Sequence, residues 1–288
     1  MQHFDKSHFR IAEDVVLENN NIPLTWWTVT PNFGDLLSPY LVEKLTSKSV
    51  VEVKNKTGSK RIRSISFRKK PVSYLAIGSI ISRANASSIV WGSGAFGTEA
   101  KTNLSKKAKY LAVRGPLTRN LLRINGINCP EVYGDPALLI PGVFNPPVQK
   151  KYKIGVILRW SETDWHDVDS DSDVKKINLG TSDIEGTLAE ILSCEKIISS
   201  SLHGIILADA YGIPSAWLSS TTPKGLEFKF YDYFISVNKI QKPQQFDFSA
   251  NRLTCSVLEK HIAFNDREIE FDEKKLLDAC PFIQRINS

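Results

Sequence analysis

A chain of 288 residues with 42% hydrophobic and 24% charged content is an ordinary globular composition, outside the disordered, collagenous and disulfide-dense classes. No window approaches the roughly 18 consecutive apolar residues of a membrane-spanning helix, and the charged start, MQHFDKSHFRIAEDVV, argues against an export signal. Four scattered cysteines, Cys129, Cys194, Cys255 and Cys280, form no CxxC pair, so they read as reduced thiols of an intracellular protein, with no zinc site and no disulfide framework.

The net charge of +6 is unevenly spread. Val53 to Pro130 carries sixteen Lys or Arg and a single acid, Glu99, whereas the remainder is net acidic. The first half therefore either meets an anionic partner (a phosphate-bearing substrate, an anionic membrane surface or nucleic acid) or carries solubility charge on exposed elements.

In chain order, LTWWTVT predicts a strand running into the turn NFGD, and LLSPYLVEKLT predicts a helix. YLAIGS, SIVWGSG and KYLAVRG are β-type runs that stop at Gly78, Gly92 and Gly115. RGPLTRNLLRING predicts a helix opened by Pro116 and closed by Gly126. A further run, EVYGDPALL, again stops at a glycine. Residues 140–151, IPGVFNPPVQKK, hold three prolines and a glycine and place a domain boundary there. Beyond it YKIGVILRW, KIISSS and IPSAWLSS predict strands, while IEGTLAEILSC and LHGIILADAYG predict helices. GLEFKFYDYF and NRLTCSVLEKHI predict helical stretches, and DEKKLLDACPF a last helix of open ownership.

Strands alternating with helices at this spacing imply an α/β fold with parallel sheets. The expected division is an N-terminal Rossmann-like domain over 1–145, a second over 150–265, and a C-terminal helix within 266–288. Two doubly wound domains place a crevice between the carboxyl ends of their strands. No turn matches GxGxxG or a Walker A sequence, so a dinucleotide or P-loop site has no motif support.

The chemistry concentrates at strand ends. In KIISSSLHGIILADAYG a strand ends in serines and a helix opens at Leu202-His203-Gly204. The helix's free N–H groups form an anion site, flanked by Ser200 and Ser201, and His203 in the first turn sits beside whatever binds. The same residues also suit a plain capped turn. Arg114 follows KYLAV and is expected at the crevice mouth, gripping carboxylate or phosphate, or else salt-bridged to a loop acid. In Asn32-Phe33-Gly34-Asp35, Asp35 suits a base, an orienting group or an N-cap. Arg159 ends a strand of the second half and can meet the same ligand from the other side. His166 with its acidic run, ETDWHDVDSDSD, lacks an EF-hand spacing and reads as a solvated loop, so no metal is expected.

Taken together, NFGDLLSPYL, the turn at Gly78-Ser79, WGSG at 91–94, VRGPLTRNLL, VYGDPALLIP and SSSLHGIILADAYGIPS resemble the polysaccharide pyruvyltransferase family. The likeness is nearest to the exopolysaccharide ketalases of succinoglycan and xanthan type, and it runs from about residue 24 to 234. It implies two Rossmann-like domains arranged as in GT-B glycosyltransferases, with the active site in the cleft between them: an N-terminal acceptor side and a C-terminal donor side. It also implies transfer of pyruvyl from phosphoenolpyruvate to two hydroxyls of one sugar, giving a cyclic ketal, with no cofactor.

By motif position the donor-holding arginine falls on Arg114, the histidine beside the donor on His203, and the N-terminal acid on Asp35. Ser201 stands where many members have arginine, so Arg159, Lys224 or Lys229 is expected to supply that charge. Leu202 and Gly204 complete the donor turn, and Gly34, Gly92, Ser93 and Gly94 join Asn32, Gly78 and Ser79 as acceptor-side or loop candidates. The acceptor implied is a polysaccharide or lipid-linked glycan at the cytoplasmic face of a membrane, where Lys69 and Lys70 would meet anionic lipid. The competing readings are a nucleotide-sugar glycosyltransferase, since fold does not separate donors, and a non-catalytic anion binder. Nucleic acid is not expected, because the basic segment lacks interleaved exposed aromatics.

Overall fold

The computed structural model describes residues 4–54, 72–159, 161–162, 171–220, 226–247 and 253–286; His166, Lys69, Lys70 and Lys224 lie outside them. Two parallel sheets form the frame. In the first, β2 (Ile22–Leu24), β3 (Val50–Glu52), β4 (Ser73–Leu75), β5 (Ser88–Trp91) and β6 (Lys109–Ala112) lie in the order β3-β2-β4-β5-β6. In the second, β7 (Tyr152–Ile157), β8 (Val174–Lys176), β9 (Cys194–Ser199) and β10 (Ser215–Trp217) lie in the order β10-β9-β7-β8. The inner strands are mostly buried, as parallel strands covered on both faces must be, while the edge strands β3 and β8 are mostly half-buried.

Both orders are doubly wound. The chain builds outward from β2 to β3, then reverses past β2 to β4; it does the same from β7 to β8 and back to β9. Each sheet therefore has a switch point, between β2 and β4 in one and between β7 and β9 in the other. Loops leaving the carboxyl ends of neighbouring strands diverge there and open a crevice.

Helix α1 (Phe33–Thr46) follows β2, and α2 (Pro116–Ile124) follows β6, opening with proline at its first turn as the sequence predicts. In the second half α3 (Ile184–Leu192) precedes β9, α4 (Leu202–Ala210) follows it, and α5 (Leu226–Ser236), α6 (Cys255–His261) and α7 (Glu273–Asp278) come later. Two predicted strands differ. LTWWTVT pairs only at Leu24; beyond it Thr25 bonds sideways, its N–H to Tyr74 and its hydroxyl to Val53, and residues 26–31 leave the sheet. The end of EVYGDPALL becomes a 3-10 helix over Pro136–Gly142, because Asp135 caps the Ala137 N–H and Pro136 cannot donate to a ladder.

The C-terminal segment returns to the first half. Strand β11 (Ile283–Arg285) pairs antiparallel with β1 (Phe9–Ile11), and Phe282 packs between Tyr74 and Trp91. The Trp91 indole donates to the Leu276 carbonyl at the end of α7. One apolar cluster runs through both sheets, from Ile22 and Leu37 through Leu138 to Ile157, Ile205 and Phe234. All four cysteines are buried and unpaired.

Candidate active site

Between the two switch points lies a pocket of 430 Å³. Trp27, Asn32 and Asp35 reach it from the loop after β2 and the start of α1, and Ser79, Ile80, Ser82 and Arg83 from the loop after β4. Facing them are Arg159 after β7, Ser201, Leu202 and His203 after β9, and Lys229 on α5; Phe96 and Leu179 complete the lining. The Phe33 N–H donates to the Leu179 carbonyl at 2.9 Å and ties the two walls together at the base of α1.

The second-half wall is cationic and rich in unmet donors. Ser201 sits at the N-cap of α4 but makes no side-chain cap bond, and no acid lies in the first turn. Its own N–H is taken by Ser199 Oγ, whose hydroxyl donates to the Ser201 carbonyl at 2.9 Å. The first N–H groups of α4 are thus left to the pocket, with the positive end of the helix dipole behind them. Gly204 is required here, since a Cβ would stand 2.4 Å from Ser199 Oγ.

Lys229 stands beside this helix start, 5.4 Å from the Phe230 ring centre and 5.9 Å from that of Phe96, and makes no ion pair among the described residues. Burial, reinforced by Arg159 and Arg114, pushes its ammonium from 10.5 down to about 7, against the pull of Asp35 and Glu162. Arg159 is held by a small network. Its N–H donates to Ser200 Oγ at 3.0 Å, and Glu162 accepts from the hydroxyls of Ser200 and Ser220.

His203 lies between the walls. A Cβ on Gly34 would come within 2.1 Å of its Nδ1, so only glycine lets α1 pass so close to the ring. Its Nε2 is buried without a hydrogen-bond partner. Burial first, then the charges of Lys229 and Arg114, lowers the imidazole from 6.5 to about 3. Near neutral pH the ring is therefore uncharged.

The first-half wall supplies the acid. Asn32 caps α1 with its side-chain oxygen on the Gly34 N–H, while its amide donates to Asp35 Oδ2 at 2.6 Å. Burial raises the Asp35 carboxyl to about 6, although Asn32, Lys229 and Arg83 all favour its charged form. Gly78, at φ +112°, makes the turn that brings its own backbone near Asp35 Oδ1.

The guanidinium of Arg114 is not at the crevice mouth. It is fully buried below the pocket, with Nε to Asp232 at 3.1 Å, Nη1 to Ser79 Oγ at 2.8 Å and Nη2 to the Ala95 carbonyl at 2.6 Å. The reason is Asp232 on α5, which also accepts from the Thr118 N–H and hydroxyl and so locks α5 to the start of α2. Gly94 and Gly115 leave room for this network: a Cβ at Gly94 would meet Arg114 Cζ at 2.2 Å, and one at Gly115 would meet the Asp232 carbonyl at 1.9 Å. Gly92 packs on Pro136, and Ser93 donates to the Ala76 carbonyl, so both support the loops without lining the pocket.

Of the residues expected at the site, the pocket brings together Asn32, Asp35, Ser79, Arg159, Ser201, Leu202, His203 and Lys229. Trp27, Arg83 and Phe96 line it without a sequence signal: Trp27 stands in a run that reads as a strand, and Arg83 and Phe96 fall between the runs that predict elements. Glu162 belongs to the hydrogen-bond network behind the second-half wall, whereas its acidic run reads as a solvated loop. Among the described residues no cluster of three or more His, Cys, Asp or Glu could hold a metal, and no helix is long and apolar enough to cross a membrane.

An uncharacterized protein of Acanthamoeba polyphaga mimivirus is 28% identical to this chain over 251 residues, covering 82% of this chain and 78% of its own. A functionally uncharacterized protein of Klebsiella pneumoniae, known as a crystal structure, aligns at 10% identity and a TM-score of 0.44 over 75% of this chain and 88% of its own. The family model for polysaccharide pyruvyl transferases matches residues 32–222, from the cap of α1 to beyond β10. The chain belongs to the polysaccharide pyruvyl transferase family, and is a transferase of pyruvyl groups to polysaccharide.

Proposed function

We propose that the protein takes its pyruvyl group from phosphoenolpyruvate and transfers it to two hydroxyls of one sugar, closing a cyclic ketal. The observation that carries this reading is the open N-terminus of α4 beside Arg159 and Lys229, facing Asp35 across one pocket. A donor with a carboxylate and a phosphate needs both backbone donors and cations, and this wall offers them together.

In this reading Arg159 and Lys229 take the charge that arginine at position 201 would otherwise supply. Arg114 acts from below, holding Ser79 and lending its charge to the pocket. The donor's anions favour the imidazolium of His203, which then delivers a proton to the methylene carbon of the enol. That proton turns CH2 into CH3 and makes the adjacent carbon oxocarbenium-like. One sugar hydroxyl adds to this carbon as Asp35 takes its proton. The C–O bond to phosphate breaks, phosphate leaves with the second proton, and the second hydroxyl closes the ring. One donor and one diol thus give one ketal and one inorganic phosphate.

The GT-B-like arrangement, the acceptor and donor sides, a lipid-linked glycan acceptor and peripheral contact of the basic half with a cytoplasmic membrane face belong to the same proposal. Incubation with phosphoenolpyruvate and a glycan panel tests it. One ketal mass added per glycan with stoichiometric phosphate release is expected; turnover with a nucleotide sugar and none with phosphoenolpyruvate would overturn it.

A further inference from the structure

The two walls of the pocket carry different cations. Arg159 and Lys229 flank α4, but Arg83 stands on the opposite wall, after β4, with Trp27 and Ser82. Its guanidinium lies over the Trp27 ring, 4.7 Å from the centroid. A cation–π contact of this kind is no substitute for a hydrogen bond, so the guanidinium's N–H donors still call for an acceptor. Among the described residues none of those donors has a hydrogen-bond or ion-pair partner; Asp35, the carboxylate that shares the pocket, lies beyond ion-pairing distance.

Trp27 is itself only half satisfied. Its indole N–H reaches Thr30 Oγ1 at 3.5 Å, and its ring forms part of the pocket wall where the chain leaves the sheet after Leu24. Phe96, 39% exposed, stands on the same rim. Aromatic faces beside Asn32, Ser79 and Ser82 suit a sugar ring, which offers an apolar face and a hydroxyl edge. A planar fork with unmet donors suits a carboxylate or phosphate.

We infer that Trp27 and Arg83 form an acceptor subsite selective for a glycan that bears an anionic group next to the sugar to be modified. Trp27 and Phe96 line the place of the sugar ring, and Arg83, held beside Trp27, grips the anion in two-pronged fashion. This subsite rests on the acceptor reading of the pocket given above, and adds to it that the acceptor is charged. The anion is either a uronate on a neighbouring sugar or a phosphate on the sugar's own reducing end.

Binding by calorimetry or indole chemical shifts, without donor, tests this apart from turnover. The probes are cellobiouronic acid against cellobiose, and the 1-phosphates of glucose, galactose and mannose against the matching methyl glycosides. In at least one pair the charged member is expected to bind about tenfold more tightly at low salt, the size of one charge-assisted contact. Arg83→Gln should erase that ratio and leave phosphoenolpyruvate affinity within about twofold. Trp27→Ala should weaken both members of the pair, and Trp27→Phe should restore much of the loss. The pair that shows the ratio identifies the anion's source.

Equal affinity for charged and neutral members in every pair would overturn the inference. So would an Arg83→Gln variant that loses phosphoenolpyruvate binding in step with glycan binding, since Arg83 would then belong to the donor. Charge-selective glycan binding without any ketal product would overturn the pyruvyl-transfer reading and leave the subsite standing.

Discussion

Two helices begin at the same pocket, and they begin in opposite ways. Helix α1 closes its own N-terminus: Asn32 accepts from Gly34, and Asp35 supplies a negative charge in the first turn. Helix α4 leaves its N-terminus open, with a serine that makes no cap bond, no acid in the first turn and a neutral histidine in its place. A helix start that satisfies itself has no call on an anionic ligand and can present a carboxylate as a base. A helix start without a cap or an acid leaves its N–H groups to water or to an arriving anion, which the dipole favours.

The largest expected effect comes from removing the imidazole at the open helix start. His203→Asn keeps a hydrogen-bond donor at the open helix and should hold phosphoenolpyruvate to within about tenfold, while turnover falls by about 10²–10⁴-fold. Ketal formation and donor titration, measured on the same preparation, check it. Near wild-type turnover would make the ring a packing partner of Gly34 only. Because the empty ring is held near a pKa of about 3, donor binding by the wild type should take up protons below neutrality, and His203→Asn should take up fewer.

Next is the charge beneath the pocket. Asp232→Ala strands the buried Arg114 guanidinium and frees the Thr118 donors, so a loss of about 3–5 kcal/mol in unfolding free energy is expected. Arg114→Lys should lose stability as well as activity, because a point donor cannot span Asp232, Ser79 and the Ala95 carbonyl together. Chemical denaturation separates the two losses. An unchanged midpoint with lost turnover would return Arg114 to direct donor contact.

Arg114 also marks where sequence reasoning stops. That a strand ends at residue 112 and a helix starts at Pro116 is legible from local pattern, and so is α4 with its serines. Whether the arginine between them faces the ligand depends on Asp232, which lies 118 positions away on a helix whose own sequence is plainly aromatic and amphipathic. The same limit hid Trp27: its run alternates like a strand, but the chain leaves the sheet after Leu24 and the indole lines the pocket. It hid β11 too, whose partner β1 stands at the other end of the chain. Local chemistry fixes helix starts and glycine turns, while tertiary contacts decide which side chains those starts expose.

A third effect tests the cation that faces the open helix. The Lys229 ammonium has a folded pKa of about 7, below its ordinary 10.5, so between those values the unfolded chain binds more protons than the folded one. Stability therefore rises with pH across that window, and the cost of burying the charge is complete only below about 7. Lys229→Met should raise the melting temperature at pH 6 by more than at pH 9, with about 2–4 °C for each kcal/mol recovered. A gain independent of pH would place the benefit in packing against Phe96 and Phe230, with no contribution from the charge.

The smallest effect is the most direct test of the contrast itself, since it makes α4 begin as α1 does. Ser201→Asp supplies both the missing cap and the missing negative charge, and should stabilise the empty protein by about 0.5–1 kcal/mol. The same carboxylate occupies the first N–H groups of α4 and repels an incoming anion, so phosphoenolpyruvate affinity should fall by about tenfold or more. Ser201→Ala separates the two terms, because it neither caps the helix nor adds charge, and should leave donor binding within about twofold. The signature is therefore a rise in melting temperature together with a loss of donor affinity, in Ser201→Asp alone. Were both variants to bind donor equally well, the anion would not sit at the start of α4, and the cations of Arg159 and Lys229 would have to hold it without the helix.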